Sequence, residues 1–226
     1  MDRNQGTCRT PRIETDVLRF VESNAAWPSD VAKEWVVQFV QMAYDQPDIR
    51  AIVAFGSIVR DVSYSVDVDL LFVYNSEIPG FTTPPLDVDV RAYSQSDVES
   101  QVAKGHDLLC WSIRFGRAIH EKNRYWTDLR NKWARDLPFP SAGIADERAE
   151  RARRLLEDLR VVGDDDAIHE QLIAMLTHLA RAHLIRADVY PASRPELPRQ
   201  LRSIGESTIA SRLADALKKR HDLIGT

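Results

Sequence analysis

The feature that most constrains the fold is a change of pattern at a proline-rich segment, residues 136–143, which reads DLPFPSAG. Before this segment, apolar runs of strand length alternate with runs of helical periodicity. After it, the apolar residues recur almost entirely at helical spacing. Two prolines and a glycine interrupt regular structure between the two patterns. The sequence therefore predicts an α+β front half, residues 1–140, and a helical bundle, residues 141–226.

Apolar runs and alternation in the front half predict three strands. They cover residues 49–55, 66–73 and 86–93. Apolar stripes at helical spacing predict helices on both sides of the boundary. In the front half these helices are expected at residues 13–21, 31–43 and 108–119, and in the back half at 145–160, 168–179 and 209–217.

Composition restricts the class of protein. The 226 residues are 44% hydrophobic and 28% charged, as in an ordinary globular protein. No apolar run is long enough to suggest a membrane span, and the first residues lack the apolar core of a secretory signal peptide. Two cysteines are too few for a disulfide framework. We therefore expect a cytoplasmic protein without a membrane partner.

The net charge bears on the partners. A formal charge of −4 gives the whole molecule no attraction for nucleic acid, so duplex nucleic acid is not an expected partner. The same acidic balance leaves room for a cationic small molecule.

Acidic residues on two of the predicted strands carry the main chemical signal. Asp67 and Asp69 are two apart, so on a strand their carboxylates point to the same face. Clustered carboxylates repel each other unless a cation neutralises them, and Mg²⁺ prefers such oxygen ligands. Asp89, on the next strand, supplies a third acid, enough for two ions. Asp87 shares its face and is the alternative third ligand.

A turn before these acids has the residue types of a phosphate site. Gly56 lets the backbone come close to a phosphate because it has no side chain. Ser57 offers a hydroxyl and a backbone N–H, and Arg60 offers a forked cation. A Gly-Ser turn, an Asp-x-Asp pair or a single arginine would each mean little alone, so the combination carries the prediction.

The segment from Phe55-Gly56-Ser57 through nine further residues to Asp67-Val68-Asp69 resembles the signature of the polymerase-β-like nucleotidyltransferase superfamily. The resemblance covers residues 49–93 and implies a small mixed sheet with flanking helices. It implies that Asp67, Asp69 and Asp89 are the catalytic residues and that they bind two Mg²⁺ ions. It also implies binding of a nucleoside triphosphate, ATP being the one expected, at Gly56, Ser57 and Arg60.

Two departures from the family pattern concern the loop between the turn and the acids. Asp61 stands where many small members have glycine, and Val66 stands where they have serine. Neither departure removes a predicted metal ligand, so the resemblance still implies transfer of NMP from an NTP to an acceptor, with release of pyrophosphate.

The back half resembles, more loosely, the helical domain of kanamycin nucleotidyltransferase and the HEPN-type bundles. The first resemblance implies a small acceptor such as an aminoglycoside-like antibiotic, and the second a protein or RNA end. A non-catalytic nucleotide-binding module is the third alternative, and HEPN-type ribonuclease activity is a weaker one. The family also implies that two copies can pair as a homodimer.

The residue that would deprotonate the acceptor hydroxyl is left open by the sequence. A carboxylate in reach could serve as the base. The candidates are helical-half residues of two kinds. They are the glutamates Glu147, Glu150, Glu157 and Glu170, and the histidines His169, His178 and His183, although a lone histidine on an amphipathic helix more often packs than catalyses.

Overall fold

A mixed β-sheet flanked by helices precedes a set of longer helices in the computed structural model, which describes residues 20–23, 27–60, 67–77 and 80–224. The predicted α+β class is confirmed. The strands are β1 (Ile49–Phe55), β2 (Val68–Tyr74), β3 (Val88–Ser94) and β4 (Arg117–Glu121). The helices are α1 (Asp30–Asp45), α2 (Gln95–Ala103), α3 (Asp107–Phe115), α4 (Tyr125–Lys132), α5 (Ala142–Val162), α6 (Asp165–Arg186), α7 (Leu197–Ser203) and α8 (Ser207–Ile224).

The strand order of the described sheet is β3-β2-β1-β4. Strands β2 and β3 run parallel, whereas β1 is antiparallel to both of its neighbours, β2 and β4. Alternate residues of the central strands face opposite sides of the sheet. Ile52 and Phe72 therefore pack with α1 in one core, and Val53 and Leu71 pack with α2 and α3 in the other. Both faces of the sheet are covered, which explains why β1 and β2 read as continuous apolar runs.

The helix predicted at residues 108–119 is wrong in its second half. The chain leaves α3 after Phe115 and turns at Gly116 into β4, which pairs with β1. A Cβ atom on Gly116 would lie 2.4 Å from the Ser112 carbonyl oxygen and 2.9 Å from Val53 Cγ1. Glycine therefore allows the close approach that starts the strand. The helix predicted at residues 13–21 lies largely outside the described residues, of which Phe20 to Ser23 are helical.

The back half is built around two long helices joined by a short connection. Helix α5 ends at Gly163, whose φ of 79° gives the left-handed turn that glycine adopts freely. Asp164 then caps α6 by accepting a hydrogen bond from the Ala167 N–H. Small buried side chains of α5, Ala152 among them, allow the two helices to pack closely. None of the helices in the described ranges combines the length and apolar character that a membrane span requires.

The helical half also returns to the front half after α6. Tyr190 is buried in the core on the α3 side of the sheet, and its ring lies 5.9 Å from that of Phe115. The boundary at residue 140 therefore stays a prediction, with Ser141 capping the first turn of α5 just beyond it.

Stability should depend on pH through His120, which is buried on β4. Its ring packs edge-on against Tyr44 at 4.6 Å, and burial lowers its pKa to about 4. The unfolded chain binds the proton near pH 6.5, so stability is lost as the pH falls from there towards 4, by roughly 3 kcal/mol. Urea denaturation at pH 7.5 and 4.5 measures this loss.

The variant His120→Phe keeps an aromatic ring in the core and should lose most of that pH dependence. His183→Asn is the matched control, because His183 pairs with Glu206 near the surface. An identical decline with pH in His120→Phe and in the wild type would contradict the assignment.

Candidate functional site

The three predicted acids lie on, or directly before, two neighbouring strands. Asp67 directly precedes β2, and Asp69 is the second residue of that strand. Because residues two apart on a strand share a face, their carboxylates lie on the same side of the sheet. Strand β3 runs parallel beside them, with Asp89 directly opposite Asp69. The fold therefore brings Asp67, Asp69 and Asp89 to one place.

Burial and mutual repulsion change the proton affinity of these acids. Burial raises the pKa of Asp69 to about 7, and the charges of Asp67 and Asp89 add to the effect. Burial also raises the pKa of Asp67, while the cations of Arg194 and Arg220 oppose the rise. Keeping these clustered and buried carboxylates charged destabilises the free protein. Such carboxylates are typical of a site that binds a cation.

Asp89 is already engaged in an ion pair. Arg91 Nε and Nη2 donate to Asp89 Oδ2 at 3.0 and 2.7 Å. In the described part of the chain, no three His, Cys, Asp or Glu side chains are arranged to hold a metal ion. Mg²⁺ usually takes one or two carboxylates together with substrate phosphates, so Asp67 and Asp69 fit it. Asp89 fits only once it leaves Arg91, and an exposed pair of this kind is weak.

Asp87, the alternative third ligand, has a different partner. Its Oδ2 accepts a hydrogen bond from the Ser29 hydroxyl, and Ser29 caps the N-terminus of α1. Asp87 therefore joins the start of β3 to α1 instead of facing Asp69.

The Gly-Ser turn lies directly against Asp69. Gly56 has a φ of 73°, and a Cβ atom added to it would lie 2.1 Å from Asp69 Oδ2. Glycine is thus required twice at this position, by the backbone conformation and by the contact with the carboxylate. Gly56 and Ser57 begin a short 3₁₀ turn, Gly56–Val59, that follows β1.

The variant Gly56→Ala should lose stability and displace Asp69. The left-handed backbone costs about 1 kcal/mol for alanine, and the overlap with the carboxylate adds a further cost of at least about 1 kcal/mol. Urea denaturation measures the total. Gly163→Ala is the matched control, since Gly163 has a φ of 79° and no atom near its added Cβ. An equal loss of stability in the two variants would show that the overlap with Asp69 adds no measurable cost.

Arg60 contacts the helical half. Its Nε and Nη2 donate to the two carboxylate oxygens of Glu196 at 2.8 and 2.6 Å, and its guanidinium lies 4.6 Å from the centre of the Phe115 ring. This pair holds the pKa of Glu196 down at about 2. Glu196 is part of the short 3₁₀ turn Arg194–Glu196, so Arg60 anchors that turn to the front half. Nucleotide binding by Arg60 stays a prediction.

A cavity of about 720 Å³ opens between the sheet end and the helical half. Gly56, Ser57, Asp67 and Asp69 lie on its sheet side, and the described lining does not include Arg60 or Asp89. Its helical side carries four arginines, namely Arg148, Arg181, Arg194 and Arg220.

Sequence reasoning missed these four arginines. Arg148 pairs with Asp107 and Arg220 with Glu170. The side chains of Arg181 and Arg194 form no hydrogen bond or close ion pair with another described residue, and burial lowers the pKa of each. One signal was available, because Arg181 interrupts the apolar stretch of α6 between Ala180 and Ala182. The other three come together only through the folded chain.

The proposed general bases of the helical half lie mostly elsewhere. Glu150 and Glu157 pair with Arg153 on the surface of α5, and Glu170 pairs with Arg220. Glu147 is exposed. None of these four glutamates belongs to the described lining of the cavity.

The three histidines of α6 differ in their partners and in whether they line the cavity. His169 Nε2 lies 2.9 Å from the Ala216 carbonyl oxygen, and His183 Nδ1 lies 2.9 Å from Glu206 Oε1. His178 alone of the three lines the cavity. Burial and the surrounding arginines lower its pKa to about 4, so it is neutral at pH 7.

No protein-family model matches the sequence, and no match is found among the curated proteins. Among solved structures, the chain is similar to the crystal structure of a nucleotidyltransferase-like protein from Exiguobacterium sibiricum 255-15. The similarity has a TM-score of 0.37 and 16% sequence identity, and it covers 83% of this chain and 72% of that chain. Because score and identity are both low, this similarity carries no argument for the function of the chain.

Proposed function

We propose that the protein is a metal-dependent nucleotidyltransferase that moves the NMP part of a nucleoside triphosphate, ATP being the expected one, onto a hydroxyl of a small molecule. One observation carries the proposal. Two same-face carboxylates, Asp67 and Asp69, lie on a cavity wall beside the Gly56-Ser57 turn and face the cation of Arg194. Paired acids near an arginine that has no close ion pair with a described residue suit a metal-bound polyphosphate.

In the proposed reaction, the acceptor oxygen attacks the α-phosphorus and forms a new P–O bond. The bond to the bridging oxygen of the β-phosphate breaks, and pyrophosphate leaves with the electron pair, while the hydroxyl proton passes to a base. Mg²⁺, held by Asp67 and Asp69, would neutralise charge on the triphosphate and on the leaving pyrophosphate. We keep Asp89 as the third carboxylate of this site, released from Arg91 when the substrates bind.

The arginines of the helical side would orient the triphosphate. Among these arginines, Arg194 interacts electrostatically with both Asp67 and Asp69. Arg220 interacts electrostatically with Arg194 and with Asp67. Forked guanidinium groups bind phosphate oxygens with short, charge-assisted hydrogen bonds. Ser57, at the start of the turn, would bind the same phosphates from the sheet side.

The size of the cavity supports a small-molecule acceptor. A volume of about 720 Å³ lies within the range of ligand pockets in proteins. A non-catalytic nucleotide-binding module is the second candidate, and the ion pair between Asp89 and Arg91 is the observation that favours it. In such a module Asp89 would stay paired when a nucleotide binds.

Incubation with each of the four NTPs, labelled on the α-phosphate, tests the proposal. Each reaction contains Mg²⁺ and a panel of hydroxylated small molecules, proteins or RNAs, with EDTA as the metal control. We expect label on a small molecule and release of pyrophosphate only when Mg²⁺ is present. Label on a protein or RNA would show that the acceptor is a macromolecule instead of a small molecule. Tight NTP binding without transfer to any of the panel would favour the non-catalytic module.

A further inference from the structure

A second group of charged side chains lines the cavity, and three of its four members lie on helices α5 and α6. It consists of Asp107, Arg148, His178 and Arg181, and we name it the α6 cluster. The charges that act on Arg181 are those of Arg194, Asp107 and Arg148, whereas those that act on Arg194 include Asp67 and Asp69. Arg194 therefore stands electrostatically between the acids of the sheet and the α6 cluster. The cluster is a separate part of the same cavity.

The α6 cluster carries one uncompensated positive charge. Arg148 Nη1 donates a hydrogen bond to Asp107 Oδ2, so these two charges neutralise each other. His178 is neutral at pH 7, since burial and the nearby arginines lower its pKa to about 4. Arg181 has the remaining charge, and its side chain makes no hydrogen bond or close ion pair with a described residue.

The surroundings of Arg181 make this charge costly for the free protein. Leu108, Trp111 and Ile185 line the same cavity, and Arg181 is only partly exposed. A buried charge without a partner destabilises a fold, so buried charges are normally paired. In apolar surroundings an anion that reaches the guanidinium is bound more strongly than in water.

Building on the proposed nucleotidyl transfer, we propose that the α6 cluster binds the acceptor, and that the acceptor is a hydroxylated small molecule carrying one carboxylate. The transfer reaction requires a hydroxyl on the acceptor. A carboxylate on the acceptor would supply the ion-pair partner that Arg181 does not have among the described residues. The planar fork of a guanidinium matches the two oxygens of a carboxylate. The net charge of the cluster matches a single negative charge. Arg194 and Arg220 are left to bind the triphosphate.

An acceptor with a carboxylate has the opposite charge to the cationic acceptor that the sequence left room for. The overall charge of −4 left room for a cationic acceptor such as an aminoglycoside. The cavity, however, is lined by four arginines against the three aspartates Asp67, Asp69 and Asp107. A polycation entering the α6 cluster would meet Arg181 and gain no free carboxylate, since Asp107 is paired with Arg148.

Three sugars that differ mainly in charge test the proposal. D-glucuronate carries a carboxylate, D-glucose is neutral and D-glucosamine carries an ammonium group. Binding of each to the wild type is measured by ligand-observed NMR or calorimetry, and binding of ATP with Mg²⁺ is measured separately. We expect glucuronate to bind roughly 10- to 100-fold more tightly than glucose, the range of a charge-assisted hydrogen-bonded pair. Glucosamine should bind most weakly.

The variants assign this preference to Arg181. Arg181→Gln should reduce the preference for glucuronate over glucose to about one, while Arg181→Lys keeps part of it. Arg151→Gln is the matched control, because Arg151 is exposed on the outer face of α5. Melting temperatures check the fold, and removal of an unpaired, partly buried charge should not lower them.

The outcomes separate this inference from the proposed function. Absence of a glucuronate preference in the wild type would overturn the inference. So would a loss of ATP affinity in Arg181→Gln as large as its loss of glucuronate affinity, because Arg181 would then belong to the triphosphate site. If the wild type preferred glucuronate and bound no Mg²⁺–ATP, the anion site would stand. The proposed function, and with it the acceptor role of the site, would fall.

Discussion

Replacing Asp69 with asparagine should abolish nucleotidyl transfer and, at the same time, stabilise the metal-free protein. Asparagine keeps the shape of the side chain but loses the charge that would hold Mg²⁺, so we expect activity to fall on the order of 10³-fold. Activity is measured as pyrophosphate release from the NTP and acceptor that give label in the wild type. Circular dichroism establishes that the fold is retained.

The gain in stability follows from the pKa of Asp69, which burial raises to about 7. The unfolded chain loses the same proton near pH 4, so the charged carboxylate destabilises the native state increasingly as the pH rises from about 4 to 7. Asparagine removes this cost. The melting temperature of Asp69→Asn should therefore exceed that of the wild type by several degrees at pH 8, and the difference should vanish at pH 4.

Asp87→Asn is the matched control for this variant. Asp87 lies on the neighbouring chain segment but is hydrogen-bonded to Ser29, away from Asp69. We expect its activity to stay within about twofold of the wild type, because a substitution that does not contact the site usually has a small effect. Full activity in Asp69→Asn would remove the proposed metal role, and loss of activity in Asp87→Asn would return Asp87 to the site.

Replacing Arg194 with glutamine should raise KM for the nucleoside triphosphate roughly 10- to 100-fold. Arg194 has the charges of Asp67 and Asp69 nearby but no close ion pair with a described residue, so its guanidinium can bind a phosphate. If the contact is made equally in the ground state and the transition state, kcat changes little. Steady-state kinetics with varied NTP at saturating Mg²⁺ separates the two constants.

Arg202→Gln serves as the control for Arg194, because Arg202 is exposed on the nearby helix α7. Its KM should match that of the wild type. An unchanged KM in Arg194→Gln would place triphosphate binding elsewhere, and the predicted role of Arg60 would then be the first to test. Because Arg60 anchors the turn that contains Arg194, stability must be measured together with KM in any Arg60 variant.

The elements that carry the acids were predictable from local sequence. Residues 49–55 form a strand with the predicted bounds, and the strands that contain Asp69 and Asp89 begin two residues later and end one residue later than predicted. Apolar runs and alternation record strand geometry directly, because side chains point alternately to the two faces. The spacing of Asp67 and Asp69 fixes their common face for the same reason.

Strand β4 was missed because its signal is not local. Residues 117–121 read RAIHE, which fits the end of a helix as well as a strand. The choice is made by pairing with β1, which offers an unpaired edge at that point. Tertiary pairing of this kind overrides weak local preferences.

The sequence by itself determined that an α+β half, with Asp67 and Asp69 on one face of a strand, precedes a helical half, since periodicity and residue spacing act over a few residues. Only the tertiary structure decided what stands opposite those acids. Arg148, Arg181, Arg194 and Arg220 are spread over more than seventy positions of the chain and meet at one cavity. Arg60 is drawn to Glu196, 136 residues away. Such contacts depend on how helices pack against the sheet, and no spacing in the sequence records that packing.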